Sequence, residues 1–384
     1  MDFELSEDQV ALRDAAASLL VGACSSARVR EVADSARHRD DALWAAMAEQ
    51  GWPAVDLPEE VGGLGLGLVE VAVLCEQLGR HLAPVPFAGT VVTQGAMHAA
   101  SASGALEELA GESRRALGGV DAAEWARRLS RGEATGAVAW SRRVDAVAAR
   151  RDDDGTWRLT GRSDPVVEGP LADVLLVFAE TGGGPAVFAL VAGEAGTRPR
   201  DEPAMDRTRS IGWLELDDRP ALWLGDDRFA GAVLDRALVA VCAEMLGAAD
   251  VVLAMTVQYA QDRVQFGRPI GGFQAVKHRC ADMLVDVEGM RSAAYYAAWA
   301  VGAGDPEAAV AASAAKVWCS DAARRVMASG LQVHGGIGFT WEHDLHLFLK
   351  RSQLDQVTFG DGAHHRERIA RILRWRLEAG LPVL

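Results

Sequence analysis

The stretch YAQDRVQFGRPIGGFQAVKHRCADM, residues 259–283, joins two of the longest helical periodicities in the chain, and its middle, RVQFGRPIGG, follows neither of them. Upstream, apolar residues recur at helical spacing over about 231–261; downstream the period resumes over about 273–301, and a third run covers about 308–330. That third run ends at HGGIGFT, residues 334–340, where three glycines fall within four positions. Helices of this length packed antiparallel predict a four-helix-bundle core. Further upstream, between about 133 and 228, the apolar runs shorten to strand length and are broken by turn residues: GAVAW, WRLTG after DDDG, ADVLLVFAE, PAVFALVAG and IGWLEL. From Ser6 to about Gly132 the period is helical again, punctuated by GGLGLG at residues 62–67. The expected fold class is α+β: an N-terminal helical domain over 1–132, a middle β-barrel or sandwich domain over 133–228, and a C-terminal helical bundle domain over 229–384.

Composition bounds the function. With 384 residues, 49% hydrophobic and 24% charged, the chain can bury large cores in two or three domains. Its 39 basic and 54 acidic residues give a net charge of -15, which argues against nucleic acid or an anionic membrane as partner. The five cysteines are scattered, odd in number and never spaced as CxxC, so neither a disulfide framework nor a zinc site is indicated and a reducing cytoplasm is expected. The N-terminus lacks a cationic start followed by an apolar core, and no run of about 18 apolar residues suggests a membrane span. His364 and His365 lack a carboxylate or cysteine at ligand spacing and read as interface or solvent histidines, with no metal expected.

The order of domains and several stretches within it resemble the acyl-CoA dehydrogenase family over essentially the whole chain. MDFELSEDQVALRD is similar to the family's opening helix, and LWAAMAEQGWPAVDLPEEVGGLGLGLVEVAVLCEQLGRHLAPVPF to its next helices and glycine-rich loop. The stretch at 259–283 is the most specific match, followed by QVHGGIGFTWEHDLHLFLKR. In that family, flavin adenine dinucleotide (FAD) lies at a subunit interface, and the RxxFG and QxxGG segments of one subunit cover the dinucleotide held by its neighbour. The resemblance therefore implies that Arg263 pairs with the pyrophosphate, a task suited to a permanently charged, forked guanidinium. Phe266 would pack against the cofactor, Gln265 and Gln332 would hydrogen-bond it, and Gly335 and Gly336 would admit it close to the backbone.

The other half of the family's site is altered. The TEPxxGSD-like segment corresponds to Ser141, Arg142 and Arg143, and the WxTNG-like segment to Pro165, Val166, Val167, Glu168 and Gly169. Pro165 stands where an aromatic ring meets the flavin, and Val167 where a hydroxyl reaches flavin N5. Removing an α-proton from an acyl-CoA thioester needs a carboxylate, yet Phe359 occupies one family position for that base and Ala237, twenty-six positions before Arg263, the other. Glu244, in the nearly uncharged VAVCAEMLGAAD, and Asp361, in GDGAHH, are the remaining candidates.

This pattern of retention and loss implies a dehydrogenase subunit that completes the FAD site of a homologous subunit, as in an α2β2 arrangement of steroid-CoA enzymes. Two alternatives stay open at this point. One is a homomeric, homotetrameric dehydrogenase using Glu244 on bulky substrates; the other is a flavin-free structural subunit. An acyl-CoA substrate and an electron-transfer flavoprotein as acceptor follow from the resemblance alone.

Overall fold

A computed structural model describes residues 4–103, 121–193 and 196–382. Helix, sheet and helix follow in the order expected from the changes of period. Preceding the sheet are α1 (Glu7–Ala23), α2 (Ser26–Asp34), α3 (Asp41–Glu49), α4 (Leu68–Arg80), α5 (Phe87–Ala102) and α6 (Ala122–Ser130). The helical expectation over 104–120 lies outside the described residues. Side chains set the helix starts. Ser6 accepts the Gln9 amide at 3.2 Å while the Gln9 side chain accepts the Ser6 amide at 2.9 Å, a reciprocal box that opens α1. The buried Asp40 carboxylate accepts the amides of Ala42 and Leu43, both at 3.1 Å, and opens α3.

The sheet uses β1 (Gly136–Ala139), β2 (Val147–Arg151), β3 (Trp157–Arg162), β5 (Val174–Thr181), β6 (Gly184–Val191) and β9 (Glu215–Gly225) in the order β1-β5-β2-β3-β9-β6. Because β6 is also hydrogen-bonded to β5, the sheet closes on itself and hides its edges. Leu159, Leu175, Val177, Phe188, Leu190 and Leu214 are among the side chains that fill it. Strand β2, VAARR, escaped the period because one buried valine leads a series of alanine and arginine. A separate small sheet, ordered β4-β8-β7, joins β4 (Val166–Val167), β8 (Ile211–Trp213) and β7 (Arg200–Asp201).

After the sheet come α7 (Asp227–Asp262), a hairpin of β10 (Val264–Gln265) and β11 (Arg268–Pro269), then α8 (Gln274–Gly302), α9 (Ala308–His334), α10 (Leu345–Val357) and α11 (Gly362–Glu378). In the C-terminal bundle α9 packs against α8, α10 and α11. Helix α7 has the length and hydropathy of a membrane span, but most of that window is buried inside the protein, as in a core helix.

Two compact units result, and they interleave along the chain. Met1–Val29, Val71–Ala83 and Leu238–Leu384 form the helical unit; Arg30–Glu70 and Pro84–Ala237 form the unit built around the barrel. Boundaries drawn at 132 and 228 mark where the element type changes, whereas compactness follows packing. The end of α4 joins the helical unit through a close crossing with α7. A Cβ on Gly79 would lie 2.0 Å from the Glu244 carbonyl oxygen, and one on Gly247 only 1.9 Å from that of Glu76. Paired glycines let the two backbones touch.

Candidate functional site

The covering segments come together at one end of the helical unit. Tyr259, one turn before Arg263, stacks on the ring of His334 with centroids 4.5 Å apart, and His334 directly precedes Gly335. This contact ties the end of α7 to the end of α9. His334 is itself fixed by a 2.8 Å hydrogen bond between Nδ1 and the Gly330 carbonyl, and burial holds its pKa below the ordinary value.

From this anchor the hairpin β10–β11 projects Phe266 and Gly267 at its tip, with φ of 52° and 78°. Positive φ at both central residues is the pattern of a type I′ turn, which matches the twist of a two-residue hairpin. Glycine adopts it without strain, but a phenylalanine there costs about 1–2 kcal/mol. The ring is nevertheless 92% exposed, touching Phe273 edge-on at 6.1 Å, while the Arg268 guanidinium lies 4.2 Å above Phe273. Arg263 and Gln332 are exposed, and so is Gln265, whose side chain donates to the Val264 carbonyl at 2.7 Å.

The glycines that follow answer to different demands. Gly335 has φ 62° and ψ -140°, a conformation closed to other residues. Gly336 has no such conformation, and a Cβ built on it would meet nothing within 4 Å. Among the described residues nothing requires a glycine at 336; the open space suits a body that comes from outside. Ile337, Phe339 and Trp341 extend the same exposed apolar surface, and the Lys350 ammonium lies 4.3 Å above the Trp341 ring. An aromatic residue, a forked cation and bare backbone side by side fit a dinucleotide held by another subunit.

The ring-side segments also meet, in the barrel unit, but they satisfy one another. Ser141 Oγ accepts the Asp164 amide at 2.8 Å, and Asp164 Oδ2 accepts the Arg142 amide at 2.8 Å. Arg143 turns to Asp145, with bonds of 3.1 and 3.2 Å. Beside them a cleft of about 350 Å³ is lined by Arg143, Asp145, Arg162, Ser163, Asp164 and Trp213, with the Arg162 guanidinium 4.1 Å above the Trp213 ring. Val167 is paired with Ile211, and Glu168 turns inward to Arg209 at 3.4 Å. Proline and valine at 165 and 167 provide neither a stacking ring nor a hydroxyl, so these residues do not fit a flavin ring.

Each candidate acid has a structural partner. The Glu244 carboxylate is buried in an ion pair with Arg351, whose side chain is 0% exposed. Asp361 caps α11 by accepting the His364 amide at 2.9 Å. Phe359, with φ 58°, stands in the turn between them. The reading of His364 and His365 as solvent or interface residues needs correction for His365, which is fully buried. Its Nε2 bonds the Phe359 carbonyl at 2.8 Å, and burial lowers its pKa to about 3. Among the described residues no group of His, Cys, Asp and Glu is arranged to hold a metal ion.

The geometry agrees with what known proteins show. "Acyl-CoA dehydrogenase IpdE2" of Mycobacterium tuberculosis is 34% identical over 351 residues, spanning 90% of this chain and 91% of the relative. The chain belongs to the acyl-CoA dehydrogenase family. The family's N-terminal domain matches residues 6–108 and its C-terminal domain residues 228–374. Among solved structures, the ChsE4-ChsE5 complex from Mycobacterium tuberculosis superposes with a TM-score of 0.85 at 30% identity, covering 97% of this chain and 99% of the other. The "Tcur3481-Tcur3483 steroid ACAD G363A variant" has the same TM-score, identity and coverage. The fold is thus that of an acyl-CoA dehydrogenase, with its N-terminal helices, middle β domain and C-terminal helices.

Sequence reasoning named the segments at 263–266 and 332–336 but not three residues whose contacts the structure shows beside the candidate residues: Tyr259 on His334, Arg351 on Glu244 and Arg209 on Glu168. Tyr259 and Arg351 lie inside the stretches that carry the family resemblance, yet nothing local reveals their partners. Arg209 has no signal at all, because its partner Glu168 is distant in sequence and both read as ordinary surface charges.

Proposed function

We propose that this chain is a subunit of an FAD-dependent acyl-CoA dehydrogenase and supplies the covering face for a dinucleotide held by a homologous subunit. The observation that carries the reading is the contrast between its two half-sites. Arg263, Phe266 and the open Gly336 are exposed, the Phe266 ring meeting Phe273 only by its edge, whereas the strand at Val167 is paired with Ile211. When bound, the flavin supplies the hydride acceptor for α,β-dehydrogenation of an acyl-CoA thioester.

The chain's own residues do the rest of their work on the cofactor. Arg263 neutralises the pyrophosphate, Gln265 and Gln332 bond its polar edges, Phe266 excludes water, and Gly335 and Gly336 admit the dinucleotide to the backbone. Glu244 and Asp361 hold the fold, so the homologous subunit provides the base. Two solved structures of similar chains each join two named proteins, the ChsE4-ChsE5 complex and the Tcur3481-Tcur3483 steroid ACAD. That supports a heteromeric assembly and a bulky acyl group for this chain. An electron-transfer flavoprotein as acceptor and a cytoplasmic location complete the reading; five unpaired cysteines accord with a reducing compartment.

The test is the visible flavin absorbance per chain, first on the protein purified alone and then after co-expression with a homologous dehydrogenase subunit. Little flavin alone and one per pair of subunits in the complex is expected. One flavin per chain in a homotetramer would sink the proposal.

A further inference from the structure

Glu168 combines three unfavourable features. It is a charged residue only 5% exposed, its φ is 60°, and it is not glycine or asparagine, the residues that accept a left-handed conformation readily. Strain of this kind persists only where the surroundings over-determine it. Here they do so through Arg209, itself buried, whose guanidinium lies 3.4 Å from the Glu168 carboxylate and donates to the Val85 carbonyl at 3.0 Å. The backbone completes the clasp. Glu168 donates its amide to the Ser210 carbonyl at 2.7 Å, and the pairs Val166 with Gly212 and Val167 with Ile211 hold the strand that leads into the turn.

We infer that the Glu168–Arg209 ion pair locks the ring-side loop of this chain in a form that stands without flavin, so that its own half-site is closed to the ring. The physical reason is the direction of the carboxylate. Drawn inward to within 3.4 Å of a buried cation, it fixes the turn from 165 to 169 through the protein's own charges, and opening that turn separates the Glu168 carboxylate from the Arg209 guanidinium inside the protein. This deepens the proposed function and rests on it for its meaning, but its test uses the chain by itself and is independent of flavin in any complex.

Hydrogen exchange of the full-length chain, read over residues 166–172, provides that test. In the unaltered protein these amides exchange slowly, and an excess of free FAD does not change them. Glu168→Gln accelerates exchange in this segment by at least about tenfold while β5 and β6 keep their protection. Glu168→Asn, which suits the left-handed turn while removing the charge and one methylene, does the same and guards against a variant that simply fails to fold. A Glu168→Gln/Arg209→Met double variant exchanges no faster than the single one, because the two residues act as a pair. Protection that rises on adding FAD to the unaltered chain, or that persists in Glu168→Asn, overturns the lock. So does a flavin spectrum from Pro165→Trp/Val167→Thr with Glu168 retained; that variant is expected to stay colourless.

Discussion

At the scale of single residues, partners decide what a carboxylate can do. Glu244 sits in a nearly uncharged helix, and from the sequence that setting suits a base whose pKa is raised by burial. The structure places Arg351 against it. Under the proposed function this buried, charge-assisted pair is a structural bond. Removing one member of a buried pair typically costs about 3–5 kcal/mol, because the other is left charged and desolvated. Glu244→Gln is therefore expected to lower the unfolding free energy by roughly that order, measured by denaturant titration. An active complex containing this variant, with stability reduced and turnover per folded enzyme preserved, agrees with the assignment. Full stability with turnover abolished would return Glu244 to the chemistry.

At the scale of elements, the hairpin β10–β11 shows stability exchanged for surface. Its tip places a phenylalanine where asparagine or glycine is locally preferred, and exposes the ring almost entirely. Among the described residues the edge-on contact with Phe273 leaves the ring almost entirely exposed, and under the proposed function its benefit arises in the assembly. Phe266→Asn is expected to leave the isolated chain as stable as before, or more stable by up to about 1 kcal/mol. In the complex it should weaken FAD retention by about tenfold or more, as an aromatic anchor lost from an interface does. Thermal unfolding of the chain and equilibrium dialysis of flavin from the complex would separate the two effects. Equal FAD retention in both proteins would remove Phe266 from the cofactor surface. The type of this hairpin was not legible in the sequence, since RVQFG gives no sign that Phe266 takes a left-handed turn.

For the molecule as a whole, buried histidines make stability depend on pH. Burial lowers the pKa values of His81, His334 and His365, the last to about 3 from an ordinary 6.5. His365 is neutral in the folded state and protonated in the unfolded state between those values. The unfolded chain thus binds more protons, and the contribution of His365 is fully present above about pH 6.5 and lost as pH falls towards 3, while the lowered His81 and His334 act in the same direction. Urea unfolding from pH 7 to pH 4 should show stability falling, and His365→Gln should flatten that slope. An unchanged slope would mean that His365 is already charged when folded.

Much of this protein was determined by local sequence. Helical and strand periods fixed the order of elements, because side-chain alternation follows backbone geometry whatever packs against it. The covering segments were legible for a similar reason: Gly335 and Gly336 lie next to each other in the chain, and their motifs require no distant partner. Tertiary structure alone decided the rest. That Glu244 is half of an ion pair depends on Arg351, 107 positions away, and that Glu168 turns inward beside Val167 depends on Arg209. The place of α4 in the helical unit depends likewise on Gly79 of α4 meeting the Glu244 carbonyl of α7 and Gly247 of α7 meeting the Glu76 carbonyl of α4. Charge pairing and backbone contact act through space, and a one-dimensional pattern carries no distances between residues far apart in the chain.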